Sequence, residues 1–274
     1  MGERLAQSVP RDPMSKPAAS RLAKTPRLRA LMRPASRLRY LIWRVTGSRR
    51  DLTVRLRKGP RLVMRPAPAG DLSVAYEIFV DELYRSPRPL APATIRRIVD
   101  VGANVGYALA YFAQAYPAAT VVAFEPHPAH LAQIEHNLRV NALSDRVELV
   151  RAAAATESGR AFLLDAGAAS RVIDQPGDAR IPITLVDFFA FVGAAPIDLL
   201  KLDCEGAEYD LLMDTRFAQL DVRALVLEWH TNPQRPRADA TIRERLATLG
   251  FSLVDGIEYT LGGNRFGLLW AYHS

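Results

Sequence analysis

From Arg97 to the C-terminus, short runs rich in Val, Ile and Leu alternate with stretches of helical periodicity, and this alternation constrains the fold more than any other feature. Such runs are too short for buried helices, and each is followed by an amphipathic segment, so they read as βαβ units in an α/β fold. The implied architecture is doubly wound, a mostly parallel sheet with helices on both faces. Strands are expected over Ile98–Val101, Thr120–Phe124, Arg146–Val150, Ile197–Leu202 and Ala224–Trp229. Helices are expected over Val105–Ala115, Pro128–Val140, Ala207–Met213 and around Ala238–Leu249. Arg160–Leu164 and Ile181–Thr184 read as short extra strands, and Leu185–Val192 as a short helix. The chain closes with strands Phe251–Asp255 and Phe266–His273 around the turn Gly262-Gly263-Asn264, a hairpin-like end that makes the last strand antiparallel. Upstream, residues 48–94 read as a cap built from a hairpin, Leu52–Arg57 and Arg61–Arg65 around Lys58-Gly59-Pro60, and a helix Asp71–Tyr84.

Charge is distributed unevenly. The chain carries a net charge of +7, yet residues 1–50 hold thirteen Lys or Arg against Glu3 and Asp12, a balance of 13 − 2 = +11. The rest is therefore near 7 − 11 = −4. Residues 1–47 are Pro- and Arg-rich, with apolar residues mostly as singletons, and are expected to form a disordered leader. Within it, Arg37–Arg44 has the pattern of a short basic amphipathic helix able to touch an anionic membrane surface weakly. Tyr40-Leu41-Ile42-Trp43 is too short to span a bilayer. A single cysteine, Cys204, excludes an internal disulfide, and the five histidines show no metalloprotease spacing, so a metal-free, cytoplasmic enzyme is expected.

The chemistry-bearing residues lie where predicted strands end. Val99-Asp100-Val101-Gly102-Ala103-Asn104-Val105-Gly106 runs an apolar strand into a glycine turn that opens a helix. The spacing is G-x-x-x-G, not the G-x-G-x-x-G of a dinucleotide site, and suits the amino-acid end of S-adenosylmethionine better than a pyrophosphate. There Asp100 would face an ammonium directly or through water, and Asn104 with backbone amides would meet a carboxylate. Glu125, closing the next strand in Phe124-Glu125-Pro126, is placed to accept both hydrogen bonds of a ribose diol; its alternative role is a charge at the start of the following helix. Lys201-Leu202-Asp203-Cys204-Glu205-Gly206-Ala207-Glu208 puts three acids at the end of another buried strand. Glu228-Trp229-His230 ends the next. For a proton-accepting role His230 is the first nomination and Asp203 the second. Tyr84 and Tyr107 either cover this edge or belong to the core.

Taken in order, Val-Asp-Val-Gly-Ala-Asn-Val-Gly, Ala-Phe-Glu-Pro, Thr-Leu-Val-Asp-Phe-Phe and Leu-Lys-Leu-Asp-Cys-Glu-Gly-Ala-Glu resemble the motifs of the FkbM-type methyltransferases, over roughly Leu52 to His230. Asp71–Phe79 resembles the helix that precedes the cofactor loop in that family. The resemblance implies a class I methyltransferase (Rossmann-like) sheet over residues 95–274, S-adenosylmethionine as donor, and O-methylation of a hydroxyl on a sugar, polyketide or similar small molecule. Carried over by position, Asp100, Gly102, Asn104 and Gly106 line the methionine end, Glu125 the ribose, and Asp203 with Glu205 the acceptor edge. Cys204 stands where a small apolar residue is expected and reads as packing.

The competing reading is a nucleic-acid methyltransferase whose basic leader gathers phosphates. Against it, no Asn/Asp-Pro-Pro-aromatic motif ends the fourth core strand, and no proline precedes Cys204. A stable nucleic-acid partner is therefore not expected.

Overall fold

The computed structural model describes residues 26–164, 171–173, 180–261 and 264–273. After a helical stretch at 26–31 and helix α1 (Pro34–Val45), the chain forms a hairpin of β1 (Leu52–Arg55) and β2 (Arg61–Met64), then α2 (Asp71–Phe79). The wound core follows as β3 (Arg97–Val101), α3 (Tyr107–Ala115), β4 (Thr120–Phe124), α4 (Pro128–Val140) and β5 (Val147–Val150). A small sheet comes next, made of β6 (Ala153–Ala155), β7 (Gly159–Leu164), β8 (Arg171–Ile173) and β9 (Arg180–Asp187). Then come α5 (Phe188–Val192), β10 (Leu199–Leu202), α6 (Ala207–Met213), β11 (Ala224–His230), α7 (Ala238–Thr248), β12 (Ser252–Leu261) and β13 (Asn264–Tyr272).

The central sheet has the order β12-β13-β11-β10-β3-β4-β5. Its pairs from β11 through β5 are parallel, and β13 runs antiparallel to both β11 and β12. This is the class I methyltransferase arrangement. Strand periodicity divides its side chains between two cores. Val99, Val101, Leu200, Leu202, Leu225 and Leu227 pack with Leu211, Leu212, Ile242 and Leu246 on one face. Ile98, Leu199, Ala224 and Val226 pack with Leu109, Phe112, Ile134 and Leu138 on the other. The chain winds from β3 outward through β4 and β5 and returns to lay β10 on the other side of β3. That junction is the switch point, where ligands of open α/β sheets bind.

Local signals set several boundaries. The helix expected from Val105 starts at Tyr107, because Gly106 sits at φ +81, in the left-handed region. Pro128 opens α4, and the His127 ring accepts from the Ala129 amide. The helix expected from Leu185 starts at Phe188, since β9 pairs with β6 through Asp187 before that carboxylate caps α5.

The reading of residues 1–47 as a disordered leader is corrected from residue 26 onward; residues 1–25 lie outside the described residues. Leu28, Met32 and Tyr40 are buried in the same core as the hairpin residues Val54 and Leu62. Backbone bonds from Arg33 to the Arg55 carbonyl and from Arg57 to the Leu31 carbonyl stitch this segment to β1. Apolar singletons cannot fold alone, but they bury when a distant hairpin supplies the opposing surface. The expected turn residues Gly262 and Gly263 lie outside the described residues. Among those described, no helix is long and apolar enough to cross a membrane.

Met32 is fully buried, so Met32→Ala should lower unfolding free energy by about 2–5 kcal/mol in urea. A tail that did not fold on the domain would show no change.

Candidate active site

The glycine turn after β3 is held from two directions. The Gly102 and Ala103 amides both donate to the Phe124 carbonyl at 3.0 Å, joining the turn to the end of β4. Glu125, the next residue, accepts from the Asn104 amide through Oε2 and from the His127 amide through Oε1, each at 2.8 Å. One buried carboxylate thus supports both the turn and the entry to α4. Asn104 itself lies at φ +51 and Gly102 at φ +90. A Cβ on Gly102 would fall 1.9 Å from the Asp203 carbonyl oxygen, so only glycine lets β10's exit pass this close. Ile134 closes over Gly106 from α4.

At the switch point, Lys201 faces Asp100 directly in the β10–β3 register. Its buried ammonium donates to Asp100 Oδ1 at 2.8 Å and to the Gly102 carbonyl at 2.9 Å, and lies 3.7 Å from Asp203 Oδ2. Burial opposes the lysine's charge, but Asp100 and Asp203 outweigh it and hold the ammonium protonated well beyond its usual range. Asp100 Oδ2 is buried and takes no hydrogen bond from the described residues. Tyr84, after α2, reaches across to donate to Asp203 Oδ2 at 2.7 Å. Tyr107 belongs to the core, its hydroxyl bonded to the Val63 carbonyl.

The ends of β10 and β11 carry a second constellation. The His230 ring contacts Glu208 Oε1 through Nδ1 at 2.9 Å, and its Nε2 lies 3.7 Å from Glu205 Oε2. Glu208 is buried and also accepts the Gly206 amide at 2.9 Å, so it both caps α6 and anchors the histidine. Cys204 packs on the core face that includes Leu211 and Leu212, with its Sγ 3.5 Å from Glu208. Glu205 holds φ +58, an uncommon backbone state for a non-glycine residue and one that recurs at functional sites. Behind it, Glu228 accepts from the Tyr259 hydroxyl at 2.6 Å, and Tyr259 stacks on Phe266.

Electrostatics separates these groups. Burial lifts Glu205 to about 8, with Asp203 and Glu228 adding to the effect against the pull of His230. Burial and Asp203 lift Glu228 to about 7. Burial would also raise Asp203, but Lys201 and the Tyr84 hydroxyl overcome it and keep that carboxylate ionised below its usual range. Burial works against charge on His230, yet Glu208, Glu205 and Glu228 outweigh it and raise the imidazolium to about 10. A ring raised this far holds its proton at neutral pH, which weighs against the expected role of His230 as first proton acceptor. The groups whose acid strength lies near neutrality are Glu205 and Glu228.

The candidate cofactor-binding and catalytic residues singled out in the sequence lie along one edge of the sheet. Asp100, Gly102, Asn104, Gly106 and Glu125 form its β3–β4 half, and Asp203, Glu205 and His230 its β10–β11 half, joined where Gly102 meets Asp203. Sequence reasoning missed Lys201, Glu228 and Tyr259. A lysine inside the apolar run Leu199-Leu200-Lys201-Leu202, level with the lone acid of a neighbouring strand, was the available signal for the first; Glu228 and Tyr259 meet only through strand pairing. Lys201→Met should cost about 3–5 kcal/mol in urea unfolding by stranding Asp100, and adding Asp100→Asn should return part of that loss. Strictly additive losses would mean that the two groups do not act as a pair.

Residues 100–253 match the family model described as Methyltransferase FkbM domain. The chain is 30% identical over 227 residues to 31-O-demethyl-FK506 methyltransferase FkbM of Streptomyces tacrolimicus, a match covering 68% of this chain and 84% of that one. It is 33% identical over 200 residues to the AMB antimetabolite synthetase AmbE of Pseudomonas aeruginosa, covering 57% of this chain and 9% of that protein's length. Among solved structures, the methyltransferase FkbM of Methylobacillus flagellatus is similar at TM-score 0.46 and 15% identity, over 73% of this chain and 52% of that one. The chain belongs to the FkbM family of S-adenosylmethionine-dependent methyltransferases.

Proposed function

We propose that this chain methylates a hydroxyl oxygen of a sugar or a natural-product-like small molecule, with Glu205 as the group that receives the hydroxyl proton. The observation that carries the reading is the convergence, at the switch point of one sheet, of the glycine turn and Glu125 with a carboxylate–histidine cluster whose acid strengths are spread around neutrality. The 31-O-demethyl-FK506 methyltransferase, whose name specifies an oxygen acceptor, supports oxygen over nitrogen.

The residues of the β3–β4 half fit S-adenosylmethionine. Asp100 Oδ2 is a buried carboxylate oxygen without a partner among the described residues, suited to an ammonium or to a water that bridges to one. Each Glu125 oxygen accepts one bond from a backbone amide. That leaves acceptor capacity on both oxygens for a ribose diol. When bound, the cofactor supplies an electrophilic methyl group on a positively charged sulfur. Asp100 and the Asn104 side chain would hold its amino-acid end and Glu125 its ribose.

The chain's own residues orient the acceptor and accept its proton. Asp203, kept ionised by Lys201 and Tyr84, accepts a hydrogen bond from a substrate hydroxyl beside the reacting one and so aligns the attacking oxygen. As that oxygen forms its bond to carbon, its proton passes to Glu205. Protonation leaves Glu205 neutral, while the His230 imidazolium, anchored by Glu208, stays paired with that second carboxylate, orients Glu205 and is not itself the base.

A base must be unprotonated to act, and Glu205 lies at about 8. Turnover, read as S-adenosylhomocysteine release with a panel of hydroxylated sugars and polyketides, should therefore rise with pH through about 8. Below that value kcat/KM should fall about tenfold per pH unit. Glu205→Gln should abolish this limb and lower kcat by about 10²–10⁴-fold. A profile flat from slightly acid to slightly alkaline pH, or full activity in the variant, would remove Glu205 from the role.

A further inference from the structure

Helix α1 has two apolar faces, and the fold uses only one. Ser36, Tyr40 and Trp43 turn toward the domain: Ser36 Oγ accepts the Arg55 amide, Tyr40 is buried, and the Trp43 indole donates to the Arg50 carbonyl. On the opposite side Leu38, Leu41, Ile42 and Val45 follow i, i+3, i+4, i+7 spacing, one continuous stripe along the helix. They are 61%, 38%, 54% and 86% exposed, and no other segment of the described residues carries so many exposed large hydrophobic side chains. At 100° per residue, Arg39 falls on one flank of the stripe and Arg37 and Arg44 on the other. The helix contains no acidic residue. Arg27, Arg29 and Arg33 precede it and Arg49 and Arg50 follow it.

We propose that α1 docks this methyltransferase flat on an anionic membrane surface, the Leu38-Leu41-Ile42-Val45 stripe entering the acyl boundary and the flanking arginines meeting lipid phosphates. A stripe with cations on both shoulders is the arrangement an in-plane interfacial helix requires. Nucleic acid would reward the arginines but leave four large apolar side chains without a role. The twelve residues of α1 reach only about 18 Å, so the helix lies on a bilayer and does not span it. Because its inner face is bonded to β1, docking would fix the orientation of the whole domain on the surface. None of this rests on the assignment of acceptor or base.

The test is flotation of the full chain with phosphatidylcholine vesicles, with and without about one third phosphatidylglycerol. Co-flotation with the anionic vesicles, weakened by salt and slight with neutral ones, is expected. Leu38→Ser combined with Ile42→Ser should weaken it by about tenfold or more. The melting temperature should not change, since both side chains are exposed in the folded chain. Three outcomes would overturn the proposal: equal flotation of wild type and variant, which would assign binding to the charges alone; no flotation of wild type; or a wild-type dimer in solution that the variant converts to monomer, which would assign the stripe to a second copy of this chain.

Discussion

The ammonium of Lys201 is the constraint on which this architecture turns. It sits at the switch point of the sheet, where β10 is laid beside β3, and binds Asp100 on one strand and the Gly102 carbonyl of the cofactor turn at once. An unpaired charge there would be prohibitively costly, so the strand ends must keep a register that brings lysine and aspartate level. The same charge keeps Asp203 ionised at the acceptor edge. One buried cation thus couples the β3–β4 half of the site to the β10–β11 half.

Around it the protein uses carboxylates for different ends by giving each a different environment. Glu125 is committed to backbone amides and stabilises two loops. Glu208 is buried against a helix start and a histidine. Asp203 is ionised by a lysine and a tyrosine, while Glu205 and Glu228 are lifted toward neutrality by burial among like charges. Members of one acidic cluster therefore divide into anchors, an ionised carboxylate and two carboxyls held near neutrality, and the division follows from desolvation and neighbouring charge.

How much was legible in the sequence depended on whether the signal was local. β4, α4 and α6 have the bounds their periodicity and flanking residues predict, because Pro128 and the glycine at 206 mark helix starts within a few residues. The glycine turn and Glu125 were legible for the same reason. Lys201 was not, since a lysine in an apolar run makes sense only beside Asp100 a hundred residues earlier. The Glu228–Tyr259 bond depends on β13 pairing with both β11 and β12, and the burial of Leu28 and Met32 depends on a hairpin downstream. His230 was visible as a strand-end residue, but its proton affinity is set by Glu208 and Glu205, whose approach to it is a property of the folded edge.

The most direct test of the central claim, that the glycine turn and Glu125 hold S-adenosylmethionine at the switch point, is calorimetric titration of S-adenosylhomocysteine into the wild-type chain and into Glu125→Gln, with thermal melting to show that both are folded. Binding at one site per chain in the micromolar range, weakened about tenfold or more in the variant through loss of a charged ribose acceptor, is expected. No binding by the folded wild type, or equal binding by the folded variant, would contradict it.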